Sequence, residues 1–263
     1  MIQQPVSVKS IPGLIRCCRA IVALGIVMLL ALPWLCLPQT SDSRRSIAKA
    51  AWTVVLFGFG VRIRVHGAPD CKTGLFAANH ISWLDIAVLG KLIDAAFVAK
   101  SEVRRWPIIG PLASNYQCLF IDRQRRSTLF RPQSTTRASH PVILFPEGTT
   151  GPGWGLLPFQ SSLFAIVTGD ADRGVQPVAI MYRRRDFTPL TPIEMRRIAW
   201  IGDDALLPHA LALAASGGVA VEVHFRQPFA AQCRKSAARQ CHQAIAASLD
   251  VLPQAAATAN LAA

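Results

Sequence analysis

Gly74-Leu75-Phe76-Ala77-Ala78-Asn79-His80-Ile81-Ser82-Trp83-Leu84-Asp85 is the stretch on which the reading of the whole chain turns. Its first five residues form an apolar run of the kind that makes a buried strand. Residues 86–92 then carry helical periodicity. A histidine between a strand end and a helix faces a cleft more often than a core. Asp85 follows His80 by five positions. On one continuous helix that spacing would put the two side chains well around the axis from each other. With His80 in the turn and Asp85 in the first helical turn, the carboxylate reaches the ring. A carboxylate on one ring nitrogen fixes the tautomer and stabilises the imidazolium. The other nitrogen is then free to take a proton from a hydroxyl. The same letters also read as a helix cap, with Ser82 as N-cap, Asp85 at the third position of a capping box, and His80 satisfied within the turn. On this stretch alone both readings stand.

Working outward, strand and helix patterns alternate. Residues 61–66 alternate strictly between apolar and polar, the mark of a half-buried strand, and Gly67-Ala68-Pro69-Asp70 turns the chain. Short apolar runs at 95–99, 117–121, 141–145 and 176–181 read as further strands, and 219–225 as an alternating one. Helices are expected from 161, over 206–215 and over 231–249, with a basic, turn-rich connection over 100–107. The order predicts an α/β fold with a mostly parallel central sheet flanked by helices. Residues 1–60 form an N-terminal membrane-anchoring segment in this reading, 61–250 a single domain, and 251–263 a frayed, alanine-rich tail.

The anchor rests on residues 20–37, which carry no charge, although Pro33 interrupts them. At ~1.5 Å per residue the run barely crosses a hydrocarbon core of ~30 Å. A second run, 50–61, is too short to span alone. Arginines lie on both sides of the first run, at Arg16, Arg19, Arg44 and Arg45, so they choose no orientation. They suit a helical hairpin dipping into one leaflet with both ends cytoplasmic. No small-x-small cleavage site precedes Ser41, which argues against a signal peptide. The seven cysteines are scattered and lack a C-x-x-C pair, which argues against a disulfide framework or a zinc site and for a reducing compartment.

A formal net charge of +13 points to an anionic partner, either nucleic acid or a membrane surface. The basic clusters at Arg104-Arg105, residues 123–131, Arg183-Arg184-Arg185 and Arg196-Arg197 show neither aromatic interleaving nor a recognition helix, which argues against nucleic acid and for anionic lipid and an acidic carrier protein. Two further stretches carry chemistry. In Leu119-Phe120-Ile121-Asp122-Arg123 a buried strand ends on an arginine, whose planar fork of donors matches phosphate or carboxylate oxygens. An exposed Asp122–Arg123 pair is the plain alternative. In Phe145-Pro146-Glu147-Gly148-Thr149-Thr150 another strand runs into a Gly-Pro loop, where the backbone donors of Gly148 and Thr149 could hold an anion. Ligands of open α/β sheets bind beyond the carboxyl ends of strands, so His80, Arg123 and Glu147 are expected to converge there.

These residues resemble the 1-acylglycerol-3-phosphate acyltransferases and related lysophospholipid acyltransferases. His80 through Asp85 is similar to their H-x-x-x-x-D motif, Phe120-Ile121-Asp122-Arg123 to the second motif and Phe145-Pro146-Glu147-Gly148-Thr149 to the third. Gln176-Pro177-Val178-Ala179-Ile180 is similar to the fourth. The resemblance implies His80 as general base and Asp85 as its orienting partner. It places Asn79, Arg123, Glu147, Gly148 and Thr149 in the acceptor site. His80 would deprotonate the hydroxyl of a lysolipid that attacks an acyl thioester of acyl carrier protein or coenzyme A. No metal, cofactor or covalent intermediate is expected, and the chain has no G-x-S-x-G elbow. The leading acceptor is 1-acyl-sn-glycerol-3-phosphate, giving phosphatidic acid on the cytoplasmic side of the inner membrane. Thr150-Gly151-Pro152-Gly153 and Gln160, where many relatives carry lysine, depart from this pattern, while Thr149-Thr150-Gly151, Pro158-Phe159-x-Ser161-Ser162-Leu163-Phe164 and Asp204-x-x-Leu207-Pro208-His209 instead resemble bacterial lyso-ornithine-lipid acyltransferases. A non-catalytic lipid-binding protein is the alternative of another class, and retention of both His80 and Asp85 argues against it.

Overall fold

The structure, a computed structural model, describes residues 10–38, 41–116, 118–121, 140–166 and 174–249. Arg123, the start of the expected strand at Gln117 and the alanine-rich tail lie outside these residues. Two helices come first, α1 (Ile11–Cys36) and α2 (Asp42–Gly58). Strands β1 (Arg62–His66) and β2 (Thr73–Ala78) follow, then α3 (Leu84–Leu92), β3 (Ala96–Lys100), α4 (Ile109–Asn115), β4 (Leu119–Ile121) and β5 (Val142–Leu144). The chain continues through β6 (Gly174–Arg183), α5 (Pro192–Ile198), α6 (Leu206–Ala215), β7 (Ala220–Phe225), β8 (Phe229–Ala230) and α7 (Arg234–Leu249). The connection after β3 and the segment Ser161–Ile166 are single stretches of 3₁₀ helix.

The strands form one sheet in the order β1-β7-β6-β2-β5-β3-β4, with β8 beside the start of β6. From β6 to β4 all neighbours are parallel, and β7 with its parallel partner β1 runs the other way. The mostly parallel sheet expected from the alternation of patterns is present. β2 is buried at all six positions because it lies inside the sheet and is covered on both faces. Its side chains alternate between two apolar clusters. Leu75 and Ala77 join Phe164 and the α7 residues Ala237 and Cys241. Phe76 and Ala78 join a larger cluster built from α2, α3, α6 and the far half of β6.

The two N-terminal helices belong to that larger core. Cys17 and Ala20 of α1 and Val55 and Leu56 of α2 are members of it. Small residues make the close crossing possible: a Cβ on Gly58 would stand 2.5 Å from that of Ala23. Pro33 does not end α1, which runs three residues further to Cys36. Arginines then tie helix ends together. Arg16 Nη1 donates to the carbonyl of Ala215 at the end of α6 (3.2 Å), and Arg19 Nε to that of Gly58 at the end of α2 (3.0 Å). Arg44 is buried and donates to Leu37 just past α1 (2.7 Å) and to Asn115 at the end of α4 (2.8 Å), with Trp34 over its guanidinium. Helix C-termini carry unpaired carbonyls and partial negative charge, so cations are favourable there. Part of the chain's excess charge is therefore structural.

Candidate active site

The C-terminal ends of β2 and β5 are neighbours in the parallel set, and the site is built just beyond them. Asn79 is the first residue past β2. It is buried, its Nδ2 donates to the carbonyl of Ile180 (3.0 Å), and its Oδ1 accepts from the Ile180 N–H (2.7 Å). Both groups of the amide are thus committed to β6. Asn79 splices the strand end to the neighbouring strand and fixes where the next residue emerges.

That next residue is His80. Its Nδ1 lies 2.9 Å from Asp85 Oδ2, and its ring stacks on Phe145 with centroids 3.9 Å apart and planes 13° from parallel. The side chain keeps 15% of its surface exposed. Nδ1 facing a carboxylate carries the proton, which leaves Nε2 as the free acceptor. The two readings of Ser82-x-x-Asp85 are both partly right. α3 starts at Leu84 with Trp83 as its N-cap and no side-chain cap bond, so Ser82 is not the cap. Asp85 still does the carboxylate's half of the job: its Oδ2 accepts from the backbone N–H groups of Ile81 (2.6 Å) and Ser82 (2.9 Å) as well as from His80. Its other oxygen, Oδ1, accepts from the hydroxyl of Tyr182 at 2.5 Å. Asp85 is completely buried, and these four donors are what make a buried carboxylate tenable.

Glu147 sits under the loop that follows β5. Its Oε1 accepts from the backbone N–H of His80 (2.9 Å) and its Oε2 from that of Leu157 (3.1 Å). Burial pushes its carboxyl above the ordinary range, against the pull of these two N–H donors. Only 5% of Glu147 is exposed, and both its carboxylate oxygens are taken by backbone N–H groups. It pins the third-motif loop to the His80 turn. The loop comes so close that a Cβ on Gly151 would stand 2.9 Å from Glu147 Oε2, and Gly151 N–H donates to the His80 carbonyl at 2.7 Å. Gly148 is buried and turns the chain with φ +77°, while Thr149 is exposed beside it. A third segment closes the cluster. Trp200 N–H donates to the Ile81 carbonyl (3.0 Å), and the Thr150 hydroxyl donates to the Trp200 carbonyl. His209 accepts from Trp83 Nε1 at 3.2 Å.

The structure therefore brings together His80, Asp85, Glu147, Gly148 and Thr149. Arg123 was expected with them. β4 runs parallel to the other site strands and ends at Ile121, and Arg123 itself is outside the described residues. Tyr182, Phe145, Thr150 and Trp200 are the additions that no role in the sequence analysis anticipated. Phe145 and Thr150 had a signal in the sequence, the first as the opening residue of the third motif and the second as the residue that follows it. Tyr182 is 97 residues from Asp85, and its place depends on β6 lying beside β2.

A histidine stands at the mouth of the parallel sheet with one nitrogen held by a buried carboxylate and the other without a hydrogen bond among the described residues, an arrangement able to take a proton from a hydroxyl group. The Acyltransferase family model matches residues 62–181, and the chain belongs to this family of enzymes. Among its relatives are lyso-ornithine lipid O-acyltransferases from Brucella abortus and Rhizobium meliloti. The first is 34% identical over 261 residues, 90% of this chain and 95% of that protein. The second is 35% identical over 219 residues, 79% and 75% of the two chains. A 1-acyl-sn-glycerol-3-phosphate acyltransferase from Neisseria gonorrhoeae is 34% identical over 148 residues, 54% and 57%. The fold matches the crystal structure of the 1-acyl-sn-glycerophosphate acyltransferase from Thermotoga maritima with a TM-score of 0.65 at 16% identity, covering 91% of this chain and 95% of that one.

Proposed function

We propose that this acyltransferase esterifies the free hydroxyl of lyso-ornithine lipid with an acyl group from a thioester of acyl carrier protein or coenzyme A. The observation that carries the chemistry is the His80–Asp85 pair, with Nε2 making no hydrogen bond among the described residues. Nε2 takes the hydroxyl proton as the oxygen attacks the thioester carbonyl, and Asp85 stabilises the imidazolium that forms. The tetrahedral intermediate collapses, the C–S bond breaks, and the imidazolium returns the proton to the departing thiolate. The acceptor is chosen from the relatives: those named for lyso-ornithine lipid align over 71–90% of this chain, against 54% for the gonococcal relative named for 1-acyl-sn-glycerol-3-phosphate. In this reading Arg123, two residues past β4, takes the acceptor's carboxylate, and Thr149 and Gly148 border its head group.

The membrane is where the acceptor resides, and α1 supplies the seat. Among the described residues it is the one helix long and apolar enough to cross a bilayer. It is nevertheless held lengthwise on the domain, by Arg16 at one end and by Trp34 against Arg44 and Tyr116 at the other. We therefore place it in the cytoplasmic leaflet of the inner membrane, parallel to the surface rather than across it. The test is acyl transfer by purified protein to lyso-ornithine lipid and 1-acyl-sn-glycerol-3-phosphate side by side at saturating thioester. The proposal expects kcat/KM at least ~10-fold higher for lyso-ornithine lipid, a difference of ~1.4 kcal/mol. The reverse preference makes phosphatidic acid the product.

A further inference from the structure

We propose that Tyr182 is a positioning residue for acyl transfer: its buried hydroxyl, donating to Asp85 Oδ1, sets how the Asp85 carboxylate holds and polarises His80. This deepens the reading of the site as an acyltransferase general-base site and rests on it. The geometry is specific. Asp85 Oδ2 faces three N–H donors, those of Ile81, Ser82 and the His80 ring, and Oδ1 faces Tyr182 at 2.5 Å. That separation is typical of a hydroxyl on a charged oxygen. Tyr182 is 1% exposed, so it touches no substrate and acts through the interior groups beside it, Asp85 and the Ser82 side chain. It lies on β6 two residues beyond Ile180, whose backbone holds Asn79. The strand that fixes where His80 emerges thus also fixes the carboxylate that orients its ring.

Two consequences follow from removing the hydroxyl. Oδ1 becomes a buried carboxylate oxygen without a donor, and any rotation of the carboxylate to relieve it breaks the Oδ2 contacts. The phenol also draws negative charge toward Oδ1 and away from the oxygen facing His80. Without it more negative charge stays on the oxygen facing His80, and the imidazolium is held more tightly. Burial, and then the Asp85 charge, drives the Tyr182 phenol well above its usual range, so it remains a donor at every working pH. Glu147, whose Oε1 accepts from the His80 backbone, is the other ionisable group facing the pair among the described residues.

The chain has two tyrosines, which makes a two-directional test possible. Tyr116 is remote from the pair and contacts Trp52. Tyr182→Phe keeps the ring and its volume. We expect kcat to fall about 10-fold, the loss of one hydrogen bond to a charged group. KM for both substrates should stay within about twofold, and the acid limb of the kcat/KM profile should move to higher pH. In a Tyr116→Phe background, 3-fluorotyrosine incorporation changes Tyr182 alone into a stronger donor, and the limb should move to lower pH. An unchanged kcat and an unmoved limb in Tyr182→Phe, with or without a lower melting temperature, would reduce Tyr182 to a core side chain. If Tyr182→Phe does not fold, an unmoved limb in the fluorinated protein overturns the proposal equally. His80→Ala is assayed in parallel. Its turnover tests the acyltransferase site itself, so an inert His80→Ala with an indifferent Tyr182→Phe overturns only the Tyr182 assignment.

Discussion

At the residue scale, the site depends on groups whose neighbours dictate a single protonation pattern and orientation. His80→Ala should abolish transfer while leaving the circular dichroism spectrum and membrane binding intact, since the side chain is partly exposed and no strand depends on it. Asp85→Asn should lose most activity and some stability as well. An amide offers one oxygen where the carboxylate accepts from three N–H groups and a phenol. It can also leave the imidazole in the wrong tautomer, as the same replacement does in the serine protease triad. Activity near the wild-type level in His80→Ala would remove the histidine from the mechanism. Glu147→Gln gives a different signature. The amide nitrogen would confront one of two backbone N–H donors, those of His80 and Leu157. A buried donor left without its acceptor costs ~1–3 kcal/mol. We expect a lower melting temperature together with reduced kcat, because the turn that carries His80 is loosened. An effect on acceptor KM alone would return Glu147 to the substrate-contacting role. His80 and Asp85 were legible because the polar residues interrupt a buried strand and a helix at a fixed local spacing. The task of Asn79 was not, because its partner is 101 positions away and any polar residue at a strand end looks free in the sequence.

At the element scale, the sheet was legible because β2, β5 and β6 carry short apolar runs, Leu75 to Ala78, Val142 to Leu144 and Val178 to Met181, while α5 was not. Pro192-Ile193-Glu194-Met195-Arg196-Arg197-Ile198 lacks an apolar stripe long enough to read as helical. It forms because Thr191 and Glu194 make a complete capping box and Pro192 occupies the first turn. α5 matters to the site through what it supports. Its Met195 side chain presses against Gly153 of the third-motif loop, and Arg196 pairs with Asp204 at 2.9 Å in the segment that carries Trp200. Glu194 also holds Arg184 through both oxygens, at 2.9 and 2.7 Å. The Arg184 side-chain contact, more than the Thr191 N–H and hydroxyl, lowers the Glu194 carboxyl to about 2. A depressed carboxylate adds stability above its unfolded pKa of ~4.3 and loses it as pH falls through the folded value. Glu194→Gln retains a residue able to complete the capping box but not the ion pair. Thermal unfolding should therefore show the variant less stable than wild type at pH 7, the gap closing from about pH 4.3 downward and gone near pH 2. Because the pair is partly exposed, added salt should narrow the gap at pH 7 as well. A gap independent of pH would assign the effect to the helix cap rather than to the charge.

At the scale of the whole molecule, the apolar N-terminal run was legible as a long apolar segment, but its attachment to the domain was not. The residues α1 turns inward are Gly13, Cys17, Ala20, Ala23 and Trp34. Apart from Trp34 they are too small to stand out among the leucines and isoleucines around them. Their partners include Leu211, 194 positions away, whose carbonyl accepts from Cys17. The larger side chains of α1 point outward: Leu14, Ile21, Leu29 and Leu32 are each more than half exposed. Exposed apolar surface on this scale marks an interaction face. The helix thus has two duties that a deletion cannot separate. Removing the residues before Val61 would strip Val55, Leu56 and Phe59 from the main core, so that truncation should yield aggregated protein rather than a soluble enzyme. Substituting the outward face alone separates the duties. Leu14, Ile21, Leu29 and Leu32 changed together to serine leave the inward residues and the arginine ties of Arg16, Arg19 and Arg44 in place. Burying a leucine side chain in hydrocarbon contributes ~1.5–3 kcal/mol, so four of them account for several orders of magnitude in membrane partitioning. The quadruple variant should shift from the membrane pellet to the supernatant on sedimentation. It should lose transfer to lysolipid presented in vesicles and keep transfer to lysolipid dispersed in detergent micelles, where no seat is needed. Retention in the pellet with full activity on vesicles would mean that another surface carries the membrane contact. Loss of activity in both presentations, with a lowered melting temperature, would mean that the outward face of α1 supports the fold rather than the bilayer contact.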